Sequence, residues 1–219
     1  MGDILGIIST RKSIRRYKPD PVPEELLMKV LEAARWAPTG ENDQPWEFIV
    51  VTNQEMKKKI GELGRIESGA FCSTEYCLGR LQKRFEKIED PKKRATVERI
   101  MYSGEVSQIA TNAPVVIVAA GTLNALNTPY DLCASIENIL LEAHSLGLGA
   151  VWVEGPAAPT RRKKKLKELL GIPTGMGEYH IQAYVAIGWP LEQRKNPRPK
   201  RSLDDFIHWE YFGNKRGCS

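Results

Sequence analysis

The chain has little of what metal centres, disulfide scaffolds and membrane spans are made from. Its 219 residues include four cysteines and three histidines. Cys72, Cys77, Cys133 and Cys218 form no CxxC pair, so free thiols are expected. His144, His180 and His208 are well separated, which points to structural or surface imidazoles rather than ligands. No stretch approaches the roughly 20 apolar residues of a membrane-spanning helix. The short apolar run at the start precedes its charges, the reverse of a secretory leader. A cytoplasmic protein without a membrane partner is the expectation. No strand pattern is followed by G-x-G-x-x-G, so NAD(P)H would not bind through a Rossmann fingerprint. No internal repeat, low-complexity tract or Gly/Ser linker divides residues 1–219, and one domain is the economical reading.

A charge of one sign is also not concentrated. Thirty-two Lys and Arg against 27 acids leave a net charge of +5, spread along the chain. Nucleic-acid binding needs basic residues gathered on one face within a recognisable module, so no nucleic-acid partner is expected. The densest run, from Arg161 to Lys167, reads as the solvated face of a helix.

Periodic segments are present. Ile4, Leu5, Ile7 and Ile8 give a short helix over 3–10. Pro19, Pro21 and Pro23 impose an extended arm before an amphipathic helix over 24–34, with Glu24 and Glu25 in its first turn. Strands are predicted at 47–52, 113–120, 150–153 and 182–188, and an apolar helix at 131–146 stopped by Gly147 and Gly149. Residues 55–112 read as helical and polar, loosened around Gly61, Gly64 and Gly69. Helices alternating with a few strands indicate α/β or α+β, a small sheet wrapped by helices. The last thirty residues carry prolines and charges and end on Trp209, Tyr211 and Phe212. Such an extended aromatic arm is expected to cross onto a partner subunit, the alternative being that it packs on its own core.

Two polar clusters could carry chemistry. Arg11-Lys12-Ser13-Ile14-Arg15-Arg16-Tyr17 follows the first helix. Arginine suits forked hydrogen bonds to phosphate, yet basic residues there also complement a helix C-terminus, the simpler use on composition alone. Pro38-Thr39-Gly40-Glu41-Asn42-Asp43-Gln44-Pro45-Trp46 lies between a helix and a strand. This rigid polar loop fits either the edge of a heterocycle or an ordinary turn.

Together they narrow the reading. Arg11-x-Ser13-x-Arg15 followed by Ala37-Pro38-Thr39-Gly40-x-Asn42-x-Gln44-Pro45-Trp46-x-Phe48-Ile49-Val50 resembles the amino-terminal signature of the nitroreductase family of FMN enzymes. Asp131 to Asn138, running on to His144-Ser145-Leu146-Gly147-Leu148-Gly149, is similar to its central helix and Gly-rich exit. Val151-Trp152-Val153-Glu154-Gly155, Leu170-Gly171-Ile172-Pro173, Gly188-Trp189-Pro190 and Arg198-Pro199-Lys200-Arg201 are similar to its later elements.

The resemblance implies an α+β fold, mainly antiparallel, with a long central helix in an intertwined homodimer. It implies two FMN sites at the dimer interface, each built from both chains. Arg11 and Ser13, with Lys12, match positions that hold the phosphate and ribityl chain. Arg15 matches a basic position near the pyrimidine end of the ring. Pro38, Thr39, Gly40 and Asn42 match a loop reaching the flavin from the other subunit. Glu154 and Gly155 match the turn beside flavin N5, and Lys200 or Arg201 would complete the phosphate site. Residues 55–112 would form a variable helical lid and 195–219 an extended carboxy-terminal arm. Electrons would pass from NAD(P)H to a nitroaromatic, quinone or similar acceptor in a ping-pong cycle, with no catalytic acid or base. Reductive dehalogenation or flavin fragmentation on the same scaffold, or flavin binding without turnover, are the alternatives. Two departures stand out. Thr39 replaces a frequent Ser, and Glu137 replaces a frequent Gln. A buried acid beside an anionic ring is costly, so Glu137 is expected to face elsewhere.

Overall fold

In the computed structural model, residues 3–154, 162–175, 178–192 and 200–215 are described. The organising elements are the two most apolar runs. Val115–Thr122 (β2) and Tyr179–Gly188 (β4) lie side by side at the centre of a four-stranded sheet. Trp46–Val51 (β1) and Gly149–Val153 (β3) flank them in the order β1-β2-β4-β3, and every pair is antiparallel. β2 and the Ala183–Gly188 part of β4 are buried on both faces, which explains their unbroken apolar character where a half-exposed strand would alternate.

Alternate residues go to opposite layers. Val115, Ile117, Ala119, Ala183, Val185 and Ile187 pack against α2 (Glu24–Arg35) and α7 (Thr128–Ser145) through Leu27, Val30, Leu132, Ile136 and Ile139. Val116, Val118, Ala120, Tyr184 and Ala186 face Ile60 of α3 (Gln54–Cys72) and Leu166 of α8 (Arg162–Leu170). α7 stops where the sequence predicts. Gly147 adopts φ +78°, its N–H bonds His144 O at 3.0 Å, and Leu148 N–H bonds Ala143 O at 2.8 Å. That closure of the last turn needs a left-handed residue, which glycine takes without strain.

Strand limits shift by a residue or two, and β4 begins earlier than predicted, at Tyr179. Larger differences lie in the helical stretch. α3 runs unbroken through Gly61, Gly64 and Gly69, where the sequence reading expects a loose patch. The glycines let neighbours approach. A Cβ on Gly61 would lie 2.4 Å from Thr111 Oγ1, and one on Gly69 would lie 3.2 Å from the Tyr102 carbonyl oxygen. α4 (Glu75–Phe85), α5 (Pro91–Tyr102) and α6 (Glu105–Ala110) complete this layer. Cys72, Leu81 and Phe85 form its own small core with Val97, Met101 and Tyr102. Asn53 caps α3, and Asp90 caps α5 just before Pro91. The basic run is not a solvated face throughout, because Lys167 is buried and paired with Glu178.

Three aromatics of the carboxy-terminal segment stay exposed within the chain. Trp209, Tyr211 and Phe212 are 44%, 70% and 89% exposed. The segment closes on itself: His208 stacks on Phe212 with ring centroids 4.3 Å apart, and Lys215 Nζ bonds the carbonyls of Asp204 and Asp205.

Candidate functional site

The basic segment after α1 (Ile4–Thr10) is fixed to the edge of the sheet. Ile14 N–H bonds Ala150 O at 3.0 Å, Ser13 forms a bridge to Ala150, and Lys18 N–H bonds Trp189 O at 2.8 Å. Two glycines permit this approach. A Cβ on Gly149 would meet the Ile14 side chain at 2.7 Å, and one on Gly188 would lie 3.0 Å from Tyr17 Cδ1. Tyr17 Oη donates to Ile14 O and lies 3.1 Å from Ala186 O. Burial pushes the Tyr17 phenol above its usual range, against a smaller opposing pull from Arg15, so it is a neutral hydroxyl. Arg11, Lys12, Ser13 and Arg15 are all half-buried on this segment.

One face of α7 meets it. His144 Nε2 lies 2.9 Å from Thr10 Oγ1, and Glu137 Oε1 lies 3.4 Å from Arg11 Nε. Glu137 and His144 are two turns apart, hence on one side of the helix. Glu137 therefore faces the basic segment, not elsewhere; as a half-exposed group it keeps part of its hydration. His144 is held below the usual imidazole range, first by burial and then by the charges of Arg11 and Lys12. The Cys133 thiol, one turn before Glu137, is raised by burial and by the Glu154 carboxylate at the end of β3. Arg11, Lys12 and Glu137 thus share one patch between α7 and β3, with Glu154 facing Cys133 one turn earlier on α7. Arg11 Nε is screened from solvent and makes no hydrogen bond with the described residues. A shielded donor without an acceptor is costly, and it marks where an anion would be stabilised.

The second cluster lies elsewhere. Glu41, Asn42 and Gln44 have φ of 54°, 61° and 47°. Three non-glycine residues in the left-handed region within one loop are unusual, and such strain persists only where contacts impose it. Thr39 Oγ1 accepts from Gln44 N–H at 3.3 Å, and Asp43 N–H bonds Gly40 O at 3.0 Å. A Cβ on Gly40 would lie 2.8 Å from Asn127 Nδ2, so the loop sits at the beginning of α7. Asn127 and Glu137 are separated by about 15 Å along the helix at 1.5 Å per residue. Within one chain, Pro38, Thr39, Gly40 and Asn42 are not brought to Arg11.

Lys200 and Arg201 are exposed, with no contact to Arg11 among the described residues. Arg201 Nη2 bonds Asp205 O at 2.9 Å, and its guanidinium covers Phe206 at 5.5 Å. Glu154 is described; Gly155 lies outside the described residues. The sequence reading missed the pinning of Thr10 by His144 and the placing of Glu137. Their seven-residue spacing on one helix face was the available signal. It also missed Asp131 Oδ2 and Trp152 Nε1, both buried and without a hydrogen bond among the described residues. No motif marks those two. The described residues hold no group of three His, Cys, Asp or Glu side chains fit for a metal ion. Among them no helix is long and apolar enough to cross a membrane.

Comparison with known proteins gives a consistent result. The model of the nitroreductase family matches residues 8–189. A protein of Archaeoglobus fulgidus, provisionally named an NADH dehydrogenase/NAD(P)H nitroreductase, is 32% identical over 199 residues, 89% of each chain. Iodotyrosine deiodinase 1 of Rattus norvegicus is 28% identical over 94% of this chain and 68% of its own length. The solved structure of an FMN-dependent nitroreductase from Clostridium difficile superposes with a TM-score of 0.69 at 25% identity, covering 95% of this chain and 99% of that one. With its four antiparallel strands, layered helices and matching sequence, the chain belongs to the nitroreductase family.

Proposed function

We propose that the chain binds FMN at the patch between α7 and β3 and, as a homodimer, passes electrons from NAD(P)H to a small acceptor in a ping-pong cycle. The observation that carries the reading is the shielded, unbonded Nε of Arg11 on a segment fixed to the sheet edge. The residues fit the cofactor. Arg11 and Lys12 offer charge-assisted donors to a phosphate, and the Ser13 hydroxyl offers a neutral one to phosphate or ribityl oxygens. Arg15 supplies a fixed positive charge toward the pyrimidine end, where it favours the reduced state. Glu154 and Gly155 match the family's turn beside the ring. Lys200 or Arg201 completes the phosphate contacts.

When bound, FMN supplies a two-electron carrier able to take a hydride from NAD(P)H and release the electrons to an oxidant. The chain contributes position and charge, and no acid–base pair is required of it. Pro38, Thr39, Gly40 and Asn42 serve the site of the partner subunit. Their distance from Arg11 along α7 and the left-handed backbone of their loop support that division. The exposed aromatics of the 195–219 arm belong to the same subunit contact, and residues 55–112 act as the lid that chooses the acceptor. A nitroaromatic or quinone is the first acceptor class. The likeness to a deiodinase favours a second reading, reductive removal of halide from an aromatic ring.

Purified protein should retain FMN, sediment as a dimer, and lose its yellow colour anaerobically with NADH or NADPH. A nitroaromatic or quinone should restore it. Recovery only with iodotyrosine, with iodide released, selects the second reading. Flavin that neither nicotinamide reduces makes the protein a binder. Failure of the apoprotein to take up FMN, or an FMN-loaded monomer at micromolar concentration, overturns the two-chain site.

A further inference from the structure

Arg11 has an acidic neighbour before any anion arrives. Glu137 Oε1 stands 3.4 Å from Arg11 Nε, within ion-pair reach, yet Nε makes no hydrogen bond. The carboxylate therefore lies off the N–H direction. It attracts the guanidinium through charge without forming a hydrogen bond to this shielded N–H. Glu137 is 46% exposed, so its charge is softened by water but not removed. The other charged groups facing this point are Lys12 on the same segment and Glu154 beyond Cys133 on β3. His144, on the next turns of α7, has its charged form disfavoured by burial and by the same two cations. The Arg11 guanidinium is thus already partly offset by a carboxylate before an anion arrives.

Resting on the reading that this patch takes the FMN phosphate, we propose that Glu137 sets the cofactor's affinity by competing with the phosphate for Arg11. A phosphate placed on the guanidinium lies close to the Glu137 carboxylate, and like charges at such separations repel even in a partly hydrated site. The result is a flavin that leaves faster than the donor set alone would allow, and so exchanges with free FMN. A neutral amide of the same shape would keep the packing on α7 and remove the repulsion.

The test is titration of apoprotein with FMN and, separately, riboflavin, which lacks the phosphate. Glu137→Gln should lower the Kd for FMN about three- to tenfold, mainly through slower release, and leave the Kd for riboflavin unchanged. Glu137→Ala should act in the same direction, which guards against an amide-specific artefact. In the Arg11→Ala background the gain should disappear. An unchanged or raised FMN Kd, or equal tightening of FMN and riboflavin, overturns the role of Glu137 while leaving the site in place. The site itself fails on a different result. In that case Arg11→Ala would retain FMN as well as Lys164→Ala, a change in an exposed lysine of α8 that lies 4.0 Å from Glu168.

Discussion

The two layers covering the sheet are held by different physics. On the α2/α7 side, Leu27, Val30, Leu132, Ile136, Ile139 and Ala143 meet the strands through apolar contact. Directed bonds there are few, chiefly Ser135 Oγ and Asn138 Nδ2 to the carbonyls at the end of α2, at 3.1 and 3.0 Å. On the α3–α6 side the contact is partly polar and buried. Lys57 Nζ donates to Ala113 O and Pro114 O, each at 2.8 Å, where the chain enters β2. Tyr184 Oη donates to Ser107 O, and the hydroxyls of Ser68 and Ser107 share a hydrogen bond. Apolar burial is non-directional and tolerates small shifts. Buried donors and acceptors hold one register and are costly once a partner is lost. The first layer thus carries stability, and the second fixes the register of the helices against the sheet.

The largest expected effect lies in the apolar layer. Ile136→Ala should cost about 2–5 kcal/mol, the range for emptying a packed aliphatic site. Denaturant unfolding of the apoprotein would measure it. A loss no larger than that of the next variant would break the contrast between layers.

Lys57→Met keeps the side chain's bulk but withdraws the donor from two carbonyls. Burial already holds the Lys57 ammonium below the usual lysine range, so its charge is not what the fold gains from. The cost should be about 1–3 kcal/mol, that of leaving buried acceptors unsatisfied. Hydrogen exchange should show the loss in α3 and α6 before it reaches β2 and β4. Uniform loss across the sheet would mean that the layers are not separable.

The smallest effect is a pH dependence at the edge of the first layer. In the unfolded chain His144 titrates near its ordinary value of 6.5, and in the folded chain below it. Between the two values the unfolded state binds more protons, so stability is complete above 6.5 and falls as pH drops through the folded value. His144→Gln can still bond Thr10 but cannot titrate, and its stability should be flatter across that window. Parallel curves for the two proteins would remove His144 from the balance of charges around Arg11.

Sequence alone determined a small sheet wrapped by helices, β2, β4 and α7, the stop at Gly147, and two polar motifs of recognisable spacing. These are legible because hydrophobic period and backbone freedom are properties of neighbouring residues. It could not show what those residues meet. Gly61 and Gly69 read as looseness until Thr111 and Tyr102 stood against α3, since a missing side chain serves mobility and close approach equally. Lys167 read as solvated until Glu178 covered it, because a lysine in a basic run carries no sign of a partner eleven residues on. Glu137 was expected to turn away from the basic segment, and packing of α1 on α7 turned it toward Arg11. Tertiary structure also placed the two motifs at separate stations along α7. Charge and glycine take their meaning from contacts made across the fold, and those contacts are set by how the layers pack, not by the order of residues within any one of them.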